Sequence, residues 1–168
     1  YLTQDQIGLL GGLNTYRYAT NPVDWVDTLG LSKKCSKNTS CDPCIGKNPA
    51  AWARQWQGHG IYKGRDTWKN TILKANTIIY GGLPGQSGFY FDDSTLQKSA
   101  NSKSKLGELL QILPHRQFGY RPDVQAYRVK KDTCVATSIA SAQNTKIFGQ
   151  GGGQQFFLSD FKTKIVKI

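Results

Sequence analysis

Short apolar runs, most of them closed by glycine or proline, follow one another along this 168-residue chain, and eighteen glycines keep interrupting the pattern. A helical bundle needs apolar residues three and four apart over several turns. A chain broken this often builds short strands and turns, with a few short helices between them. Val124-Gln125-Ala126-Tyr127-Arg128-Val129 alternates as a half-buried strand does. Residues 76–82 and 88–91 predict two strands around a Leu83-Pro84-Gly85-Gln86-Ser87 loop, and residues 155–158 and 164–168 predict the last two. Asn48 followed by Pro49 predicts a helix start, with Asn as N-cap and Pro at the first helical position. Trp52 and Trp56 lie one turn apart on that helix and are expected to face a core. Asp93 is expected to cap a short helix through Ala100, with a second helix over 105–112. Strands outnumber helices and no strand–helix–strand rhythm appears, so the expected class is α+β.

Three stretches differ in character. Residues 1–31 alternate aromatic and polar residues after a glycine turn (Gln6 through Tyr18), then pass through Asn21-Pro22 into a compact apolar element ending at Leu31. Residues 32–47 are rich in Ser, Lys, Asn and Cys without a period and are expected to be a junction; residues 48–168 are expected to form one domain. Hydrophobic residues are 38% and charged residues 20%, proportions of a folded domain. No stretch approaches the ~20 apolar residues of a membrane span. The first residues lack the basic-then-apolar order of a signal peptide and begin mid-pattern, as a cut from something longer would.

Charge is lopsided: 22 Lys+Arg against 11 Asp+Glu give +11. The basic residues are dispersed, without an arginine-rich arm. Solubility, a nucleic acid, a ribosome-associated target and an acidic partner all remain open. Cys35, Cys41 and Cys44 crowd one segment while Cys134 stands apart. Cys41-Asp42-Pro43-Cys44 has the spacing of a metal knuckle, but no second pair follows. Plain thiols are the first expectation, a disulfide the second and zinc the third. His59 and His115 read as surface histidines. A basic nuclease built on them is a third functional reading, without any NAD chemistry.

Residues 1–31 resemble the closing segment of Rhs repeat proteins. The resemblance runs through Gln4-Asp5-Gln6-Ile7-Gly8-Leu9, Gly11-Gly12-Leu13-Asn14-Thr15-Tyr16-Arg17-Tyr18, Asn21-Pro22, Trp25 and Asp27-Thr28-Leu29-Gly30-Leu31, with Gln6 and Thr28 standing where the pattern has proline. It implies an upstream Rhs cocoon of β-hairpins and cleavage after Leu31. It further implies a secreted antibacterial toxin, delivered by a system such as type VI secretion into the cytoplasm of a target cell and held in check by a cognate immunity protein.

The remainder resembles toxins of the ADP-ribosyltransferase fold, especially the tuberculosis necrotising toxin domain. The carrying residues are Leu73-Lys74-Ala75-Asn76-Thr77, Gly88-Phe89-Tyr90, Tyr127-Arg128-Val129 and Phe148-Gly149-Gln150-Gly151-Gly152-Gly153-Gln154-Gln155. A second resemblance, to Rhs toxins that ADP-ribosylate a translation factor, adds Asp66-Thr67-Trp68-Lys69-Asn70 and Gly81-Gly82-Leu83-Pro84-Gly85-Gln86-Ser87. Together they imply two small antiparallel sheets around a cleft for NAD, which is substrate as well as cofactor. Gln155 falls on the family's catalytic glutamine, and Tyr80 stands where the arginine for the cofactor phosphates belongs.

Cleaving the nicotinamide–ribose bond passes through an oxocarbenium-like state. The site must bury the nicotinamide, hold the ribose hydroxyls and stabilise positive charge. Phe89 or Tyr90 offers an apolar ring, and Gln155 a ribose contact. Tyr80, Gly81, Gly82, Gln86, Ser87 and Gly153 are the expected cofactor contacts, the glycines through main-chain N–H groups. A carboxylate would counter the cation better than an amide, and Asp92, Asp93 and Glu108 are candidates. With the arginine missing, transfer of ADP-ribose to the translation machinery is expected ahead of NAD hydrolysis.

Overall fold

The computed structural model describes residues 42–83, 86–117, 119–120, 123–141 and 149–168. The Rhs-like segment, the expected cleavage point after Leu31, and Cys35, Cys41, Pro84, Gly85 and Phe148 lie outside the described residues.

One compact unit runs from Pro43 to Ile168. Its elements, in order, are α1 (Pro49–Arg54), β1 (Lys69–Leu73), β2 (Ile78–Leu83), β3 (Phe89–Phe91), α2 (Asp93–Lys98), α3 (Lys103–Leu110), β4 (Asp123–Val129), β5 (Thr133–Ile139), β6 (Gln154–Phe157), α4 (Phe161–Lys164) and β7 (Ile165–Lys167). The seven strands form a single antiparallel sheet in the order β1-β5-β6-β3-β2-β4-β7. The class α+β stands, but the expected pair of sheets is one. The reason is a single rung: Tyr80 opposite Phe91 is the whole pairing between β2 and β3. It joins a four-stranded half (β1-β5-β6-β3) to a three-stranded half (β2-β4-β7).

The sheet curls. Four strand spacings separate β1 from β2, about 19 Å if flat. The link between them closes a turn, Thr77 N–H donating to Lys74 O at 3.2 Å, so the strand ends stand no more than about 15 Å apart. Only a rolled sheet meets both conditions. Its inner face carries Leu73, Ile79, Tyr90, Tyr127, Val129, Val135 and Ile165, with Leu158, as one buried cluster. Gly81 belongs to this face for a packing reason: a Cβ there would stand 3.3 Å from the rings of both Tyr90 and Tyr127, which meet edge to face at 5.5 Å.

The outer face holds a second cluster, in which α1 packs Ala50 and Ala53 against Trp68, Ala136 and Phe157. The helix start is as the sequence predicts: the Asn48 side chain accepts from Ala51 N–H at 3.2 Å and Pro49 opens the helix. The tryptophans differ. Trp52 is 44% and Trp56 61% exposed, because the two alanines let the short helix lie close to the sheet and Trp68 fills the core instead. The helix also ends at Arg54, so Trp56 is not on it. α2 begins one residue earlier than expected, with Asp92 rather than Asp93 accepting from Thr95 N–H at 2.9 Å. Ser102 caps α3.

Cys44 is bonded to Cys134 across 90 residues, tying the segment before α1 to β5. The expectation of a plain thiol at Cys44 is corrected, and a zinc role for it with it. Packing of α1 and the segment before it on β5 and β1 brings together two cysteines whose sequence distance hid the pairing.

Candidate functional site

Strand register decides which candidates share a face. Side chains opposite one another in an antiparallel ladder point the same way, and neighbours along a strand point opposite ways. Tyr80 lies opposite Phe91, Phe91 opposite Gln155, Gln155 opposite Ser138, and Phe89 opposite Phe157. These side chains therefore line the outer face in one patch. Tyr80 stacks on Phe91 with ring centroids 5.9 Å apart, and Phe89 sits 5.0 Å from Phe157 and 6.1 Å from Trp68. Phe89 is half-buried, leaving part of its ring open. Tyr90, one residue on, faces the inner core and is 2% exposed. The structure brings Gln155, Phe89 and Tyr80 together on one face and puts Tyr90 on the other.

Gln155 is 7% exposed and held by its nitrogen. Nε2 donates to Asp66 Oδ2 at 2.6 Å and to Ser138 Oγ at 2.9 Å. Asp66 is a hub: Oδ2 also accepts from Gln57 Nε2 at 2.7 Å, and Oδ1 accepts from Ser141 N–H at 2.6 Å. Gln57 Oε1 in turn accepts from the Trp68 indole N–H at 3.0 Å and from Asp66 N–H at 2.9 Å. The next residue, Gln154, turns to the inner face, where its Nε2 donates to Thr137 Oγ1.

Asp66 is the residue that sequence reasoning missed as a site group. It stands 89 positions from Gln155, and nothing in spacing links them; only the second resemblance touched it. The carboxylates named instead are engaged elsewhere. Asp92 caps α2 and also accepts from Ser94 Oγ at 2.7 Å. Burial raises its pKa, but the hydrogen bonds from Thr95 and Ser94 outweigh that and hold it below the usual value. Asp93 accepts from Tyr80 Oη at 3.2 Å and from Gln97 Nε2. Partial burial and that carboxylate raise the Tyr80 pKa above its ordinary value. Glu108 lies on α3, where its carbonyl accepts from Gly151 N–H at 3.2 Å.

The remaining expected cofactor contacts are distributed around β2 and β3. Gln86 Nε2 donates to Tyr90 Oη at 3.0 Å, and Ser87 Oγ accepts from Phe89 N–H at 3.3 Å. Burial pushes the Tyr90 phenol up to about 12. Gly81 and Gly82 sit within β2, opposite Gln125 and Val124 of β4, rather than in a loop. Gly153 N–H donates to Leu109 O at 2.9 Å, so it is not spare for a phosphate. A Cβ on Gly153 would approach that same carbonyl oxygen at 2.9 Å, which makes the glycine a packing requirement. Beside Tyr80, a cavity of about 340 Å³ opens between β2, β4 and the α2–α3 turn, lined by Leu96, Asn101, Lys103, Leu106 and Val124 among others. His59 Nε2 lies 2.8 Å from Gln55 O, and His115 Nδ1 accepts from Gln117 N–H at 3.1 Å, each in its own local turn.

Comparison with known proteins decides the family. The model of the Rhs1 C-terminal toxin domain matches residues 45–160, well over half of the chain. The chain belongs to the Rhs1 C-terminal toxin domain family. A solved structure of Rhs1-CT in complex with its cognate immunity protein RhsI1 is similar to this Rhs1 toxin domain. Identity is 57% and the TM-score 0.71, covering 72% of this chain and 92% of that one. Curated relatives match over a short piece. The chain is 59% identical over 32 residues to "Double-stranded DNA deaminase toxin A" of Burkholderia cenocepacia (strain H111), covering 19% of this chain and 2% of that protein. The same identity and length link it to YlbH of Escherichia coli (strain K12), 14% of whose length it spans. Among the described residues no helix is long and apolar enough to cross a membrane.

Proposed function

We propose that this Rhs1 toxin domain destroys NAD by cleaving its nicotinamide–ribose bond, with water as the acceptor. The observation that carries the reading is the patch in which Gln155, Phe89 and Tyr80 share one sheet face beside the cavity at Tyr80. In the proposed reaction the C1′–N bond breaks and nicotinamide leaves with the electron pair, becoming neutral. Water adds to C1′ of the oxocarbenium-like ribose and sheds its proton to solvent. Nicotinamide and ADP-ribose are the products. Phe89 offers an apolar wall for the nicotinamide ring, and the Gln155 carbonyl oxygen faces the developing charge. Lys103 and main-chain groups near the cavity would take the diphosphate in place of the arginine that Tyr80 replaces.

Water is favoured over a macromolecular acceptor because, among the described residues, the patch carboxylates are engaged, and water can pass its proton directly to solvent. A protein or RNA acceptor must lose a proton as it attacks, and a nearby carboxylate commonly removes it. Here the residue at the catalytic position is a neutral amide, the Asp66 oxygens already accept three donors, and Asp93 is engaged by Tyr80 and Gln97. Transfer of ADP-ribose to an elongation factor or the ribosome is the second reading. The net charge of +11 favours it, since a basic domain is drawn to RNA-bound targets. We also assign to this chain a cognate immunity protein, an upstream Rhs cocoon, cleavage after Leu31, and delivery to the cytoplasm of a competing bacterium. The similarity to the complexed Rhs1-CT and the Rhs-like residues 1–31 support that assignment.

Incubating the purified protein with labelled NAD and a bacterial lysate tests the reading. Label recovered as free ADP-ribose supports hydrolysis. Label on a macromolecule means transfer, and unchanged NAD sinks both.

A further inference from the structure

We propose that Asp66 is a positioning residue which locks the Gln155 amide with its nitrogen inward and its carbonyl oxygen outward, giving a neutral side chain the polarity the reaction needs. The inference rests on the NAD-cleaving reading for its chemistry, but its geometry stands on hydrogen bonds alone. A glutamine amide can ordinarily turn over, exchanging oxygen and nitrogen. Here each step of the network has one polarity. The Trp68 indole N–H and the Asp66 backbone N–H are donors only, so Gln57 must present Oε1 to them and Nε2 to Asp66. Asp66 carries an acceptor-only carboxylate, so Gln155 must also present Nε2 to it, at 2.6 Å. Ser138 Oγ accepts from the same nitrogen. Gln155 Oε1 accepts no hydrogen bond among the described residues, and no buried side-chain oxygen or nitrogen there lacks a partner. The oxygen therefore keeps contact with solvent on the patch.

Two consequences follow for charge. A hydrogen bond from an amide nitrogen to a carboxylate polarises the amide and increases the negative character of its oxygen. The carboxylate also contributes its own field to the oxocarbenium-like state from behind the amide, without exposing a nucleophilic oxygen to the ribose. Asp66 thus acts through Gln155 and does not itself touch substrate.

The test uses the full chain and Asp66→Asn, which keeps the shape but turns one acceptor into a donor. NAD kcat is expected to fall on the order of 100-fold, the cost of a misplaced group, with KM within a few-fold of wild type. The Asp66→Asn/Gln155→Ala double variant is expected to be no slower than Gln155→Ala alone, because both changes remove one unit. The Gln155 side-chain amide resonances, assigned by their loss in Gln155→Ala, are expected to shift in Asp66→Asn. Unmoved resonances, an unchanged kcat or additive losses in the double variant would overturn the proposal. If the wild type consumes no NAD, the NAD reading falls. The resonances then decide the positioning claim alone: shifted supports it, unmoved overturns it. If Asp66→Asn does not fold, Asp66→Glu retains the charge while displacing the amide: a lowered kcat at constant KM supports the proposal, and wild-type kcat overturns it.

Discussion

Tyr80 and Phe91 form the single rung that ties β2 to β3, and their rings stack with centroids 5.9 Å apart. With one rung between these strands, side-chain packing substitutes for main-chain bonds at the seam. Phe91 is 4% exposed and borders both Tyr80 and Gln155. Phe91→Ala is expected to lower stability by about 3–5 kcal/mol, the range for removing a buried phenylalanine. Urea unfolding checks it. A loss below about 1 kcal/mol would mean the two halves of the sheet hold without this contact.

Gln155→Ala is expected to cut NAD turnover by two or more orders of magnitude, roughly 3 kcal/mol of barrier. It also removes two hydrogen bonds, a part-buried one to Asp66 and a buried one to Ser138. A stability loss of about 1–3 kcal/mol should accompany it. Turnover near wild type in a folded variant would make the glutamine purely structural.

Much of this arrangement was legible in the sequence, and the exceptions have physical causes. The Asn48-Pro49 helix start, the alternation over 124–129 and the closing strands are local patterns, and each formed where expected within a residue or two. β5 (Thr133–Ile139) was not anticipated. It lies between β1 and β6 and is covered on both faces, so small and polar residues such as Ala136, Thr133 and Ser138 are buried without alternation. The tryptophans misled because area alone does not choose a buried face: Ala50 and Ala53 allow the closer approach. At the patch, the resemblance to toxins of the ADP-ribosyltransferase fold brought Gln155 and Phe89 to notice. Register alone separates Tyr90 from them, and register is set by pairings between distant segments. The Asp66–Gln155 contact is of the same kind.

The Cys44–Cys134 bond closes a loop of 90 residues, which in the chain-entropy view stabilises the fold by about 4–5 kcal/mol. The Cys44→Ser/Cys134→Ser double variant should lose stability on that scale in oxidising buffer. Adding reductant to the wild type should reproduce the loss. Identical unfolding midpoints with and without reductant would show that the bond is absent or idle in solution.

Tyr90 gives the protein a signature at alkaline pH. Its folded-state pKa is raised to about 12, because burial disfavours the phenolate, against about 10 in an unfolded chain. The stability this contributes is fully present below about pH 10 and is lost as pH rises toward about 12, where unfolding lets the phenol ionise. Tyr90→Phe should flatten the fall in stability across that window, although it forfeits the bond from Gln86. Denaturation midpoints at a series of alkaline pH values check the claim; equal slopes for the two proteins would contradict it.

On the proposed reading, NAD is consumed with water as acceptor by a patch whose carboxylates, among the described residues, are all engaged. The most direct measurement is the initial rate of NAD loss catalysed by the purified protein in plain buffer, repeated in bacterial lysate. Rapid loss in buffer, equimolar nicotinamide and free ADP-ribose, and little acceleration by lysate are the expected results. Negligible loss in buffer with rapid loss in lysate, and ADP-ribose found on a macromolecule, would contradict it and establish transfer.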